Sequence, residues 1–346
     1  MTTLLVVGCG SIGGRHARNL VALGAGPVAC CDLDAARAAR LAAECGGGAS
    51  GADLGAMLAR VRPDAVLVCT PPSTHLALAH QALAAGAHVF CEKPLADAMD
   101  GVDALVEAAE GSGRVFMMGM CYRFHPGLRR MAALLRAGVV GRIQGAQMWA
   151  GHWLPDWHPW ADYRREYSAQ RRLGGGVLLD SIHSFDTLRW VLGEPVAVTG
   201  MLAQVSDLEI DVEDVAAALV RLASGVIVEV HVDYLQRHPE SRFEVIGSEG
   251  NLVWTKSTLR WRCVADDGWE EEVVAVDPNA MYLDELRAFL RAVRTGEAVA
   301  LGVREGRRTL ALALAVRASA ESGRTMRIDG PVQAPLARVS AVEVRP

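Results

Sequence analysis

LLVVGCGSIGGRH, residues 4–16, runs four apolar residues into glycines spaced G-x-G-x-x-G and then into a helix-forming segment. An apolar strand that enters such a turn and leaves as a helix is the phosphate-binding turn of a dinucleotide-binding fold. Gly8 permits the tight turn. Gly10 lets the backbone approach a pyrophosphate, and Gly13 lets helix and strand pack closely. The phosphates of a bound dinucleotide then meet the N–H groups of Ser11, Ile12 and their neighbours at the positive end of the helix dipole. The next apolar segment, Pro27-Val-Ala-Cys-Cys-Asp32, ends in an acid 19 residues past Gly13. A carboxylate there accepts from ribose hydroxyls and repels a 2′-phosphate, so NAD is expected over NADP. Asp34 is the better placed helix cap. Arg37 and Arg40, just beyond, keep NADP use open.

The chain has 346 residues, 51% hydrophobic and 22% charged, enough for two domains with a sizeable core. Its net charge of −5 gives no electrostatic reason to expect nucleic acid or an anionic membrane as partner. No apolar run approaches the roughly 18 residues needed to span a bilayer, and Val6-Val7 enters the glycine turn without a basic leader. The eight cysteines form no C-x-x-C pair, and most lie on apolar segments. They are expected to be reduced thiols of a cytoplasmic protein, with neither a disulfide framework nor a metal site.

Up to about residue 120, strands expected at 3–8, 27–32, 65–69, 88–91 and 115–118 alternate with helices, notably at 12–23, 35–45, 74–85 and 97–110. This alternation defines an α/β domain, a doubly wound parallel Rossmann sheet, over residues 1–122. After Arg123 the texture changes. A helix at 127–137, a strand at 142–151, an aromatic excursion at 152–172 and a helix from about 176 to 192 precede period-two strands over 196–276. In Val226–Tyr234 the even positions are apolar while the odd ones carry Glu229, His231 and Asp233. Residues 123–333 therefore read as an α+β domain with a large, mainly antiparallel open sheet, closed by helices near 280–294 and 304–321. Residues 334–346 read as a loose tail.

Three stretches carry chemistry. Thr70-Pro71-Pro-Ser-Thr-His75 follows one strand and Glu92-Lys93-Pro94 the next; carboxyl ends of parallel strands line the ligand crevice. Thr70, Pro71, His75, Glu92 and Lys93 are thus expected around the cofactor. An ammonium at Lys93 can donate to a substrate oxygen. Pro94 suits a cis bond. In Gly174-Gly-Gly-Val-Leu-Leu-Asp180-Ser-Ile-His183-Ser-Phe-Asp186, three glycines open a helix on which Asp180 and His183 share a face, with Asp186 extending the row. A carboxylate beside an imidazole raises its basicity and sets its tautomer, as a general base requires. The excursion from His152 to Tyr167 is dense in flat rings, and Trp157 and Tyr163 are expected to contact substrate. Tyr122 and Arg123 are expected to face the cleft.

GCGSIGG, TPPSTH, CEKP, Tyr122-Arg-Phe-His-Pro126 and GGGVLLDSIHSFD, in this order, resemble the Gfo/Idh/MocA oxidoreductase family over nearly the whole chain. The resemblance implies an NAD(P)-binding first domain and a second-domain sheet that often builds dimers or tetramers. It also implies a reaction site lined by Lys93, Asp180 and His183. The Asp and His of the glycine-led helix are commonly four apart in the family and are three apart here; many members have Asn where Cys121 stands. A hydride is then expected to pass between nicotinamide and a secondary hydroxyl or ketone of a sugar, cyclitol or sugar derivative, nucleotide sugars included. His183 is the base, Lys93 the oxygen-holding acid and Asp180 their orienter. Two alternatives stay open: a redox-neutral glycosidase or lyase that oxidises its sugar transiently, and a non-catalytic dinucleotide sensor.

Overall fold

The computed structural model describes residues 2–275 and 277–328. Strand β1 (Leu4–Val7) is buried on both faces, and α1 (Ser11–Ala22) leaves the glycine turn directly. Then follow β2 (Val28–Cys31), α2 (Ala35–Glu44), β3 (Ser50–Gly51), α3 (Leu54–Val61), β4 (Ala65–Val68), α4 (His75–Ala84), β5 (His88–Glu92), α5 (Val102–Gly111) and β6 (Phe116–Gly119). All six strands are parallel in the order β3-β2-β1-β4-β5-β6. This is the doubly wound order whose crevice opens where β1 meets β4. Asp34 caps α2 by accepting from the Arg37 N–H at 3.0 Å, which leaves Asp32 free of that task.

Two elements of this sheet carry little sequence signal. β3 is two residues long, and α3 is capped by Asp53, which accepts from the Ala56 N–H at 2.7 Å. The helix expected from 97 begins only at Val102, because Gly101 (φ +79°) is left-handed and the residues before it form turns.

The second half contains α6 (Pro126–Arg136), β7 (Ile143–Gly151), α7 (Val177–Asp180), α8 (Ile182–Leu192) and β8 (Pro195–Ala203). It continues through β9 (Val215–Leu222), β10 (Ile227–Asp233), β11 (Glu240–Gly247), β12 (Gly250–Thr255), β13 (Thr258–Cys263) and β14 (Glu270–Val273). After α9 (Ala280–Thr295) and α10 (Val303–Ser322), β15 (Met326–Arg327) completes a nine-stranded sheet, β14-β13-β12-β11-β7-β10-β9-β8-β15. Among the described residues, β7–β10 is the one parallel pairing in this sheet. Val228, Val230 and Val232 of β10 are buried on one face. There α10 packs so closely that a Cβ on Gly200 of β8 would lie 2.6 Å from Val316 Cγ1. Burying such aliphatic side chains is worth about 1.5–3 kcal/mol each.

The helix expected over 176–192 is two helices. Ser181 leaves helical geometry (ψ 24°), and the Ser184 N–H donates to Ser181 O at 3.0 Å instead of to Asp180 O. The last two helices return to the first sheet. Asn279, at the start of α9, exchanges side-chain amide bonds with Asn19 of α1, and Met118 N–H of β6 donates to Leu301 O before α10. The expected tail at 334–346 lies outside the described residues.

Candidate active site

The glycine turn is built as its spacing predicts. Gly8 (φ +88°) lies against the 69–70 backbone, where a Cβ would come 2.7 Å from Cys69 C and O. A Cβ on Gly13 would lie 1.8 Å from Gly8 O. Gly10 has open space around its missing side chain and gives α1 no cap bond, so the first-turn donors of Ser11, Ile12 and Gly13 are left for an anion. Asp32 stands over this turn. Its Oδ2 accepts from Cys9 N at 2.7 Å and its Oδ1 from Asp34 N at 2.9 Å, and each oxygen keeps a lone pair for a ribose hydroxyl. Arg37 Nη1 lies 3.8 Å from Asp32 Oδ2. Thr70 and Pro71 follow the backbone on which Gly8 rests. An uncapped helix start, an open Gly10 and a polar acid at the next strand end fit a dinucleotide.

Two residues expected at the cofactor are buried and bonded within the protein. His75 is fully buried, its ring nitrogens each 2.7 Å from a carbonyl oxygen, Pro94 O on one side and Thr70 O on the other. It ties the two strand-end loops together. Glu92 is also buried: its Oε1 accepts from His16 Nε2 at 2.6 Å and its Oε2 from Lys93 N at 3.1 Å.

Lys93 follows on a cis peptide bond to Pro94. Its ammonium reaches across to the second half and donates to Asp180 Oδ1 at 2.8 Å and Asp180 O at 2.9 Å, with Tyr167 OH at 3.4 Å. The helix break at Ser181 frees that Asp180 carbonyl. Tyr167 OH, Ser168 Oγ (2.6 Å) and Tyr234 OH (3.1 Å) also donate to the Asp180 carboxylate. Burial opposes both charges. Even so, Lys93 and the hydroxyl donors hold Asp180 below the usual carboxylate range, and Asp180, Tyr167 and Glu92 hold Lys93 well above the usual amine range. The pair is ionised at neutral pH.

His183 makes no hydrogen bond to Asp180. Its ring stacks on Tyr122, with centroids 4.7 Å apart and planes 9° apart, and its Nε2 lies 3.9 Å from Cys121 Sγ. Its Nδ1 has no hydrogen-bond partner among the described residues. Burial, and then the charge of Lys93, push its pKa down to about 4. Glu92, Asp186 and Asp180 act upward on the imidazole, but burial and Lys93 outweigh them, so the expectation of a more basic His183 is corrected: the break at Ser181 hands Asp180 to Lys93, and the imidazole is neutral. Asp186 hydrogen-bonds neither group. It takes Arg123 in a bidentate pair at 2.7 and 2.8 Å, with the guanidinium over Trp190 at 5.4 Å. Arg123 is spent on this buried pair rather than turned to the cleft, and Tyr122 packs on the imidazole.

In the excursion, Trp157 packs edge-on against Tyr234, one layer behind Asp180, and donates to His152 O at 3.2 Å. Tyr163 OH accepts from Glu209 N at 3.2 Å. The ring that reaches the centre is Tyr167, which the sequence reading did not single out, along with Ser168 and Tyr234. The three donors are far apart in sequence or embedded in an aromatic run, so no spacing marks them. Among the described residues no cluster of His, Cys, Asp and Glu is arranged to hold a metal, all eight cysteines are free thiols, and no helix is long and apolar enough to cross a membrane.

A dinucleotide turn, a lysine–carboxylate pair and a neutral imidazole in one chain are the equipment of an oxidoreductase. The profile described as "Oxidoreductase family, NAD-binding Rossmann fold" matches residues 2–120, and the GFO/IDH/MocA C-terminal domain profile matches 128–253. The chain is similar to 1,5-anhydro-D-fructose reductase of Ensifer adhaerens, 31% identical over 89% of this chain and 92% of that one. It is also similar to myo-inositol 2-dehydrogenase of Thermotoga maritima, 28% identical over 94% and 98%. Among solved structures, levoglucosan dehydrogenase with NADH and levoglucosan superposes with a TM-score of 0.85 at 21% identity, over 95% of this chain and 99% of that one. The chain belongs to the Gfo/Idh/MocA family of NAD-binding oxidoreductases.

Proposed function

We propose that this chain is an NAD-dependent dehydrogenase or reductase of a secondary alcohol or ketone on a sugar, cyclitol or sugar derivative. The observation that carries this reading is the Lys93 ammonium, held on Asp180 across the cleft beside the neutral His183. Gly8, Gly10, Ser11, Ile12 and Gly13 hold the pyrophosphate, Asp32 the ribose hydroxyls, and Thr70 and Pro71 border the site. NAD, when bound, supplies the hydride acceptor. Lys93 donates to the substrate oxygen and offsets the negative charge that grows there during oxidation. His183 takes the hydroxyl proton. Asp180 keeps Lys93 in place through two of its oxygens, and Tyr167 and Ser168 keep Asp180 in place. In reduction His183 returns the proton. The names of the relatives, a reductase of an anhydro sugar and a dehydrogenase of inositol, support this substrate class. Screening sugars, cyclitols and nucleotide sugars for absorbance at the NADH band tests it. Net NADH formation also excludes a redox-neutral glycosidase, and no cofactor turnover with any member of the panel would overturn the assignment.

NAD is favoured over NADP because the Asp32 carboxylate, beside the glycine turn at the end of the next strand, would repel a 2′-phosphate, and it is only 11% exposed, so water screens it little. Asp32→Ser should narrow the preference by at least tenfold, the effect of about 1.4 kcal/mol. Fluorescence titration of both cofactors checks it; tighter NADP binding by the unaltered protein contradicts it.

We further assign the open face of the nine-stranded sheet as the contact between copies of the chain, giving a homodimer or homotetramer. Trp149, His231, Ala217 and Met201 lie in one cross-strand row, with Gln147, Glu229, Leu219 and Thr199 in the next. Trp149 stacks on His231 at 4.1 Å, and Met201 is 78% exposed. An apolar row of this kind on a sheet face marks an association surface. Light scattering should give at least a dimer at micromolar concentration. Met201→Glu should dissociate it without lowering helix content.

A further inference from the structure

Behind the glycine turn lies a second ionisable group that no step above uses. His16, on the buried side of α1, is fully buried and donates through Nε2 to Glu92 Oε1 at 2.6 Å. The other oxygen of Glu92 accepts from the backbone N–H of Lys93 at 3.1 Å. The carboxylate fills the space left by Gly119 of β6, where a Cβ would come 3.1 Å from Glu92 Cδ. Glu285 of α9 is also fully buried, and neither of its oxygens has a hydrogen-bond partner among the described residues. Burial, and then the charge of Glu92, raise the pKa of Glu285 well above the carboxylate range. Burial opposes the ionisation of Glu92 too, but His16 and Lys93 hold its pKa below the usual value. Of the two acids, Glu92 carries the charge and Glu285 is neutral.

We propose that Glu92, clamped by His16, is a positioning residue for Lys93: its carboxylate fixes the peptide that carries the lysine and supplies, from behind, a second negative charge for the ammonium that Asp180 holds in front. The proposal rests on the reading of Lys93 as the substrate-facing ammonium. It links the helix that receives the phosphates to the group that holds the substrate oxygen, through α1, His16, Glu92 and the Lys93 peptide. The charged and titratable groups around Lys93 include Asp180, Tyr167 and Glu92, with His183, Tyr122, Cys121 and His75 further round it.

The chain has two lysines, Lys93 and Lys256, so competitive amine labelling read by mass spectrometry reports Lys93 against an internal reference without any substrate. In Glu92→Gln the free-amine fraction of Lys93 should rise, and with it the labelling rate, about tenfold for each unit by which its pKa falls. Glu285→Gln replaces a neutral acid by a neutral amide and should keep Lys93 labelling within about twofold of the unaltered protein. His16→Gln keeps a donor for the carboxylate and should keep slow labelling, whereas His16→Leu releases Glu92 and should speed it. This pair gives a readout even if Glu92→Gln does not fold. Unchanged labelling in Glu92→Gln, equal rates in the two His16 variants, or a Glu285→Gln effect as large as that of Glu92→Gln would each overturn the proposal. Sugar-dependent NADH formation tests the enzyme's function separately. Its absence would remove that function and leave the labelling result standing; unchanged labelling in an active enzyme would remove only the role of Glu92.

Discussion

Lys93→Met should lower turnover by about 10²–10⁴-fold, the usual worth of a positioned acid or base, with NAD affinity little changed because the phosphate turn is untouched. The same substitution leaves Asp180, which is 1% exposed, without its cation. Removing one partner of a buried ion pair costs about 3–5 kcal/mol. The single variant is therefore expected to be both inactive and destabilised, and loss of activity alone would not separate chemistry from folding. Lys93→Met combined with Asp180→Asn separates them. Asn keeps an oxygen for Tyr167, Ser168 and Tyr234 but carries no charge, so the double variant should regain most of the lost stability and none of the turnover. Denaturant unfolding and NADH absorbance, measured on the same preparations, check this. Recovered turnover in the double variant would mean that Lys93 serves only to neutralise Asp180.

The frame of the site was legible in the sequence because its parts are local. The glycine turn, Asp32 at the next strand end and Glu-Lys-Pro at another are each fixed by a few neighbouring residues, and parallel strand ends converge on one crevice. The partners of Asp180 were not legible. Three-residue spacing puts Asp180 and His183 on one face only if the helix runs through Ser181, and it does not. Once the helix breaks there, the Asp180 carbonyl and carboxylate both turn to Lys93, 87 residues earlier, and a long-range ion pair replaces the local one. Arg123 and Asp186 show the same effect: each reads as a cleft residue alone, and each is consumed by the other at 2.7 Å. Tyr167 carried no signal because its role depends on a segment of short 3₁₀ turns that folds over Asp180. The two-residue β3 and the closing β15 are strands only by their pairing partners, Cys30–Cys31 and Ala197–Val198.

His183→Ala is the second large effect, and its pH dependence gives it a signature that Lys93 lacks. Burial and the neighbouring ammonium hold the imidazole pKa at about 4 against an ordinary value near 6.5. The base is thus already neutral throughout the physiological range. In the oxidation direction, kcat/KM of the unaltered protein should fall only as the pH drops through about 4. The same shift links to stability. Between pH 6.5 and 4 the unfolded chain binds a proton that folded His183 refuses, so stability is full above 6.5 and is lost as the pH falls toward 4. The loss amounts to about 2–3 kcal/mol from this group. His125, likewise lowered to about 4 by burial, adds a similar loss that persists in a His183 variant. His183→Ala should therefore cut turnover by about 10²–10⁴-fold at pH 7, keep NAD affinity, and unfold less steeply with acid than the unaltered protein. Near-normal turnover in that variant would move the proton transfer to Lys93 and Tyr167, which lie 3.4 Å apart on the same carboxylate.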